Sequence, residues 1–522
     1  MNLLIEPVFR VKTTVGLTTL SLPGLLAALG ADTVESLSGL QRHQEDALHI
    51  FLCYLAGAVL ARAGVGDPAQ SEAFWRDGLR QLAGREDDYA WTLVVEDVTQ
   101  PAFMQAPLPS KNDWAAFKPK ADTPDALDVL PTAKNHDLKA TRALYASAED
   151  WIYALVSLQT MSGFFGQGNY GIARMNGGFG SRPCVGLWQV EQPGGRWERE
   201  VRRLLAVRPE LLIPPYPYQK DGWILLWLLP WDRASSIDLK TLDPFFIEIA
   251  RSVRLVNPAG PIRAWSASTT AARLGAKELK GLVGDPWIPI NLKTNGALTV
   301  SAAGLTPELV RNLLFEQDFV AAAMQQPTAG TSAAIGFYAS VLVRGQGTTD
   351  GFHSITLPIP TKARSALFRR SAERQRLADL SKQGLNEAAA MQNKVLKPAL
   401  YVWLEAGPEQ INWDKREVSA WVEQTARAFG AAWQRRFFDW LWSTVDVADN
   451  DAAHLPWLQT LEQHGRQVLA DAIARFPVRT GRYYRSRVRT EGMFTGCLFN
   501  TFPQLQEIAH ARRRADTDAT HP

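Results

Sequence analysis

In the last third of the chain, apolar residues fall at helical spacing. Val418, Trp421, Val422, Phe429, Trp433, Phe437, Trp440 and Leu441 step by three and four, which predicts one long amphipathic helix. Asn412 and Asp414 lie just upstream as N-cap candidates. Leu377, Leu380, Leu385, Val395 and Leu396 fall near the same spacing in residues 363–404, a stretch almost free of proline. Two further helical stretches, about 455–476 and 481–510, follow breaks at residues 446–451 and at Pro477. Four long helices with short connections predict an antiparallel bundle over residues 363–515, with a polar tail at 516–522.

Upstream the pattern changes. Residues 3–11 carry β-branched and aromatic side chains in partial alternation and predict an opening strand. Residues 44–63 predict a helix. Its apolar run, 47–61, is shorter than the roughly 20 residues that cross a bilayer, so it is expected in a core. From about 85 to 360, short apolar runs at 91–95, 223–226, 297–300 and 336–343 alternate with proline and glycine. Such irregular spacing predicts a mixed domain over 1–362 rather than a regular βαβ array. The expected fold class is α+β, a large mixed α/β N-terminal domain followed by a C-terminal four-helix bundle.

Composition narrows the function. The 522 residues are 46% hydrophobic and 21% charged with a net charge of +3, so contact with nucleic acid must come from local patches. From residue 361 onward there are 24 basic and 18 acidic residues, +6, which leaves −3 for the remainder. Cys53, Cys184 and Cys497 are widely spaced and form neither a disulfide framework nor a zinc motif. The N-terminus has no basic start or cleavage site. Both features point to a cytoplasmic protein with no membrane partner.

Candidate chemistry is sparse. Residues 166–171, Gly-Gln-Gly-Asn-Tyr-Gly, fit G-x-G-x-x-G, yet a dinucleotide site needs a strand before the motif and a helix opening from it. The following Ile172-Ala173-Arg174-Met175-Asn176-Gly177-Gly178 cannot continue as a helix. Seven glycines between Gly163 and Gly180 predict either a tightly turning surface loop or a backbone that presses on a ligand or a DNA groove, helped by Asn176, Arg174 and Arg182. His136-Asp137 is a lone dipeptide without further metal ligands, and Cys184 has no evident histidine partner. No catalytic residue is expected, and the chain is read as a non-enzyme. Arg475, Arg479, Arg482, Arg485, Arg487 and Arg489 surround Tyr483-Tyr484, and Arg482, Arg485 and Arg489 share a helical face. That face is either solvated or a phosphate track.

Several short segments, in order, resemble the large subunit (CasA) of the type I-E CRISPR surveillance complex, Cascade. They are Asn2-Leu3-Leu4-Ile5-Glu6-Pro7, Phe103-Met104-Gln105, Lys134-Asn135-His136-Asp137, Asn176-Gly177-Gly178-Phe179, Gly284-Asp285-Pro286-Trp287 and Arg344-Gly345-Gln346-Gly347, followed by the helical bundle. The resemblance implies a non-catalytic subunit that recognises the protospacer-adjacent motif (PAM) in double-stranded DNA, helps unwind the target and positions a recruited helicase-nuclease. It places Asn176, Gly177, Gly178 and Phe179 in the minor groove with Lys277 or Lys280. It assigns a strand-separating wedge to Gln346, Thr348 and Thr349, although the adjacent Asn-Gln pair of some relatives is missing. Lys134, Asn135 and His136 are implied to contact the guide RNA or a neighbouring Cascade subunit. The zinc-binding cysteine pairs of some members are absent, so neither metal nor other cofactor is expected. Two rival readings are a nucleotide-binding enzyme using residues 166–171 and a scaffold subunit that does not touch DNA.

Overall fold

The structure is a computed structural model and describes residues 1–129, 146–163, 166–171, 174, 182–188, 192–257, 260–327, 335–344, 349–369 and 372–519. The chain separates into two compact units, Met1–Thr306 with Glu316–Pro358, and Pro307–Phe315 with Ile359–Pro522.

The first unit is built around helix α2. A three-stranded antiparallel sheet, β2-β1-β3, comes from β1 (Phe9–Thr13), β2 (Gly16–Leu20) and β3 (Val34–Leu37), with α1 (Leu22–Gly30) between β2 and β3. Helix α2 (Arg42–Ala63) follows, and His49 is the only side chain from Ala47 to Leu60 that is not fully buried. A helix apolar on every side belongs in a core, and α2, though long and apolar enough to cross a membrane, is largely enclosed by protein. Reciprocal bonds between Gln41 and Gln44 start it, and Gly64, in the left-handed region, stops it. It packs against α3 (Glu72–Ala83), α4 (Ala148–Thr160) and α5 (Pro193–Leu211). A second sheet, β6-β5-β4, has β5 (Ile335–Arg344) buried along its whole length, between β4 (Cys184–Trp188) and β6 (Thr349–Ile359). A continuous apolar strand is what a central position demands.

Two expectations change here. The opening strand is β1, later than predicted, because the side-chain carbonyl of Asn2 accepts the Leu4 N–H (2.9 Å) and its main-chain carbonyl accepts from Glu6 (2.8 Å). Residues 3–6 therefore turn while Leu3 and Leu4 still reach the core. The run at 91–95 is not a strand either. It follows a 3-10 turn, Tyr89–Trp91, and is held by Gln105, whose amide donates to the Leu93 carbonyl at 2.8 Å.

The second unit is helical. A stray segment, α6 (Pro307–Leu314), joins it through buried Arg311, which donates to Ser381 Oγ (2.7 Å) and the Ala378 carbonyl (2.9 Å). After α7 (Thr361–Phe368), α8 (Ala372–Ala390) runs through a π-turn, Met391–Leu396, into α9 (Lys397–Leu404). Pro398 cannot donate to the preceding turn, and the wider π-turn absorbs that lost bond. Helices α10 (Arg416–Ser443), α11 (Asn450–Arg475) and α12 (Thr480–Thr501) complete the four long rods. The helix expected over 481–510 is two, because Pro503 starts a separate α13 (Pro503–Ala519). Neither N-cap candidate caps α10. Lys415 occupies that position, and Asn412 instead accepts the Asp414 N–H. The apolar stripe of α10 is buried as expected except Trp421, which lies out in solvent.

Tryptophans fill this unit's centre. Trp440 and Trp457 stack with centroids 4.8 Å apart, and their ring N–H groups donate to the carbonyls of Ala453 and Gly384, each at 2.9 Å. A Cβ on Gly384 would lie 2.5 Å from the Trp440 ring. Gly384→Ala should therefore cost about 1–3 kcal/mol through overpacking. A lowered denaturant midpoint of the helical unit, followed by circular dichroism, is the expected result, and an unchanged midpoint would refute the packing.

Candidate nucleic-acid interface

Short strands and long connections leave many buried carbonyls without ladder partners, and each needs a donor. In the first unit arginines supply it. Arg254 reaches the carbonyls of Gln100 (2.9 Å) and Val95 (3.2 Å), Arg273 those of Leu229 (2.8 Å) and Pro230 (3.1 Å), and Arg199 those of Leu187 (2.9 Å), Gln326 (2.9 Å) and Met324 (3.1 Å). All three guanidiniums are buried. The fork of five N–H donors suits this task, since one side chain can tie several loops at once.

The two ends of the glycine-rich segment are anchored in this way. Residues 175–181, including Asn176, Gly177, Gly178 and Phe179, lie outside the described residues, but Arg174 and Arg182 flank them and are buried. Both meet Asp285, Arg182 Nη2 at 2.6 Å and Arg174 Nε at 3.4 Å from the same carboxylate oxygen. Arg182 also faces Glu248 at 3.6 Å, and Arg174 donates to the Phe246 carbonyl at 3.1 Å while lying 4.2 Å above the Phe246 ring. The expectation that these two arginines help grip phosphate is corrected: both are committed to buried carboxylates. Burial outweighs the nearby arginines and pushes the Glu248 carboxyl up to about 7.

The G-x-G-x-x-G segment is structural. A Cβ on Gly171 would come within 2.2 Å of the Ala250 carbonyl oxygen, and Gly168 gives its own carbonyl to the Thr269 N–H (2.8 Å). Arg251 clamps the segment by donating to the carbonyls of Gly163 (2.6 Å), Gly171 (2.6 Å) and Ala250 (2.8 Å). Two of its N–H groups, the kind of donor a nucleotide phosphate needs, are also engaged: Asn169 donates to the Gly166 carbonyl at 3.1 Å and Tyr170 to the Thr269 hydroxyl at 3.4 Å.

A neighbouring knot joins two other predicted regions. Arg344 ends β5, and its Nη1 donates to the Val129 carbonyl at 2.9 Å, which also accepts the Thr349 hydroxyl at 3.0 Å. Thr349 is thus a buried anchor rather than an exposed wedge side chain, while Gln346 and Thr348 lie outside the described residues. Val129 precedes the segment holding Lys134, Asn135 and His136, which also lie outside the described residues. Next to it, Asp128 is buried against His43 Nε2 (2.9 Å) and Ser157 Oγ (3.0 Å) and takes a bond from Gln44. Burial opposes ionisation here, yet His43 and these donors hold the carboxyl below its ordinary range. The segments predicted for guide RNA and for strand separation therefore share one root. Arg344 is also close enough to Arg251 to reinforce the effect of burial, which lowers Arg251 to about 9.

Lys277 and Lys280 are exposed on a 3-10 turn, Lys277–Leu279. Lys280 sits in the left-handed region, and its carbonyl accepts the Ala297 N–H at 2.9 Å. Asp285 follows Lys280 closely in sequence. On α12 the predicted basic face divides. Arg489 donates to the carbonyls of Gly407 (3.0 Å) and Pro408 (2.7 Å) after α9, Arg485 pairs with exposed Glu409 at 3.0 Å, and Arg482 is exposed. Arg489 is thus a helix-end donor and not part of a free patch.

Sequence reasoning missed a cluster beneath a cleft of about 470 Å³ whose lining includes His49, Arg196 and Tyr338. Donor atoms of His49, Cys53 and Glu200 lie within 4.8 Å of one another, a spacing that would suit a metal. The chemistry does not fit one. Glu200 is surrounded by His49 Nε2 (2.8 Å), Trp287 Nε1 (2.7 Å), the Tyr338 hydroxyl (2.7 Å) and Arg196 Nε (3.2 Å), and burial pushes the Cys53 thiol well up, away from the thiolate a metal needs. A chain-distant set of this kind has no spacing signature to read.

The fold, a turn-rich α+β unit followed in sequence by a helical unit, is shared with solved CRISPR-associated proteins. CasA of Thermus thermophilus matches 96% of this chain and 99% of its own length at 16% identity, with a TM-score of 0.61. Cse1 from Acidimicrobium ferrooxidans matches 96% and 98% at 15% identity, with a TM-score of 0.64, and a chain of a CRISPR RNA-guided surveillance complex matches 96% and 99% at 10% identity, with a TM-score of 0.60. No family model and no curated protein matches the sequence. At these identities the likeness is one of fold, and the fold is that of CasA (Cse1).

The ion cluster makes a pH prediction. The ordinary Glu pKa is 4.5, and that of Glu248 lies near 7, so between these values the folded chain holds a proton the unfolded chain has lost. The contribution of Glu248 to stability is complete below pH 4.5 and declines as pH rises through 7. Urea unfolding at about pH 5 and about pH 7.5 should show the parent losing stability relative to Glu248→Gln. A difference that does not move with pH would contradict this protonation.

Proposed function

We propose that the chain is the large subunit, CasA, of a type I-E Cascade, and that it reads the PAM in double-stranded DNA without catalysing any reaction. The CasA fold over 96% of the chain is the observation that carries this reading. Its partners are the guide RNA and the other Cascade subunits, the target duplex and a recruited helicase-nuclease, all met in the cytoplasm.

In this reading Asn176, Gly177, Gly178 and Phe179 enter the minor groove, where the readout separates mainly A·T from G·C pairs. The anchored flanks at Arg174 and Arg182 support the role, because a loop pinned at both ends loses less freedom on binding. Lys277 and Lys280, exposed and near Asp285 in sequence, supply the groove cation. Gln346 and Thr348 belong to the strand-separating segment and Thr349 secures its root. Lys134, Asn135 and His136 meet the guide RNA or a neighbouring subunit. Target sequence itself is left to base pairing by the guide.

The test is the affinity of the reconstituted complex, with and without this chain, for duplexes differing only beside the protospacer. Discrimination of about tenfold or more per altered pair should require the chain and vanish in Gly178→Asp, which places bulk and negative charge against the groove. Separate Lys277→Ala and Lys280→Ala complexes should show one of the two losing affinity for PAM-bearing duplexes. Discrimination that persists without the chain, or in a folded Gly178→Asp variant, overturns the reading.

A further inference from the structure

One end of the helical unit carries an aromatic and basic surface that PAM reading does not use. It is built from the connection between α9 and α10 and the connection between α11 and α12. Trp421 packs edge-on against Phe476 with centroids 5.0 Å apart, and the Trp403 ring N–H donates to the Phe476 carbonyl at 2.9 Å. Trp403 in turn meets Tyr483 at 5.8 Å, and Tyr401 meets Trp413 at 4.9 Å. These contacts hold Trp413 and Trp421 on one side while leaving much of each ring in water, and Tyr484, beside Tyr483 in sequence, is more exposed still. Trp413 is 54% exposed, Trp421 46% and Tyr484 80%.

The charge is one-sided on the α11–α12 side of these rings, whereas the α9–α10 connection carries Glu405, Glu409 and Asp414. Residues 475–489 hold six arginines and no acid. Arg489 and Arg485 are used by Gly407, Pro408 and Glu409, and Arg487 pairs with Glu491 at 2.9 Å. Arg475, Arg479 and Arg482 are exposed, and among the described residues none of them meets a carboxylate. Arg475 lies 5.8 Å over the Phe476 ring, which places a cation beside the aromatic set.

We propose that this end of the bundle binds single-stranded nucleic acid, with Tyr484 and Trp413 stacking on bases and Arg475, Arg479 and Arg482 contacting phosphates. The occupant follows from the chemistry. Three unpaired guanidiniums on an acid-free stretch call for a polyanion, and exposed ring faces call for flat apolar partners. A duplex hides its base faces in the stack, so only a separated strand offers both. A protein that opens a duplex produces such a strand, but the surface is independent of how the PAM is read.

The full-length chain alone, without guide RNA, should bind a fluorescent oligo(dT) in anisotropy titrations more tightly than the matching duplex. Tyr484→Ala should weaken oligo(dT) binding about tenfold, and Tyr484→Phe should restore it, since stacking needs the ring and not the hydroxyl. Arg475→Ala, Arg479→Ala and Arg482→Ala combined should lower the magnitude of the salt slope by about two, given roughly 0.7 per single-strand phosphate contact, whereas lysine at all three positions should keep it. Gly178→Asp should leave oligo(dT) binding unchanged, so failure of the PAM reading and failure of this one are separable. Unaltered affinity and slope in the Tyr484→Ala and triple-alanine variants, both with parental helicity and melting, would overturn the proposal. Equal affinity for the duplex would overturn it as well.

Discussion

The first unit depends on buried guanidinium groups bonded to backbone carbonyls. Its strands are short and its connections long, so the main chain itself cannot satisfy its acceptors. Arg199, Arg251, Arg254, Arg273 and Arg344 each take on carbonyls that a sheet ladder would otherwise serve. A buried charge is costly to desolvate, yet a guanidinium surrounded by several acceptors recovers much of that cost. Arg174 and Arg182 extend the same device with Asp285 and Glu248. The reward is positional: long loops leave the core from fixed points.

That arrangement ties the ends of segments far apart in sequence to shared anchors. Val129 receives both Arg344 and Thr349, so the chain entering 130–145 and the connection at 345–348 start from a shared root. Asp285 joins the flanks of the glycine segment and lies close to Lys280 in sequence. The second unit solves its packing differently, with stacked tryptophans whose ring N–H groups bond to helix carbonyls. Rigid aromatics fix its interior, and the rings left over at one end are exposed.

Much of the helical unit was legible because a period of about 3.6 is a strong signal and proline marks its breaks. The stripe from Val418 to Leu441 was buried as read apart from Trp421, but Pro503 splits the last helix, a position where a single residue overrides the periodic pattern. The mixed unit was legible only as a class. Its turns are set by side-chain bonds such as those of Asn2 and Gln105, which no periodicity encodes. Site residues divided along the same line. Lys277, Lys280 and Arg482 are exposed as a contact role requires, whereas Thr349 and Arg489 serve the fold, as do Arg174 and Arg182. Polar residues beside glycine read alike in sequence whether they face DNA or a buried carboxylate. Only the position of Asp285, far along the chain, separates the two.

The most direct measurement is a structure of the reconstituted guide-RNA complex containing this chain and bound to a PAM-bearing duplex. The account predicts residues 176–179 in the minor groove beside the protospacer, with Arg174 and Arg182 still paired to Asp285 behind them. A groove filled by another subunit, or by a different segment of this chain, would contradict it.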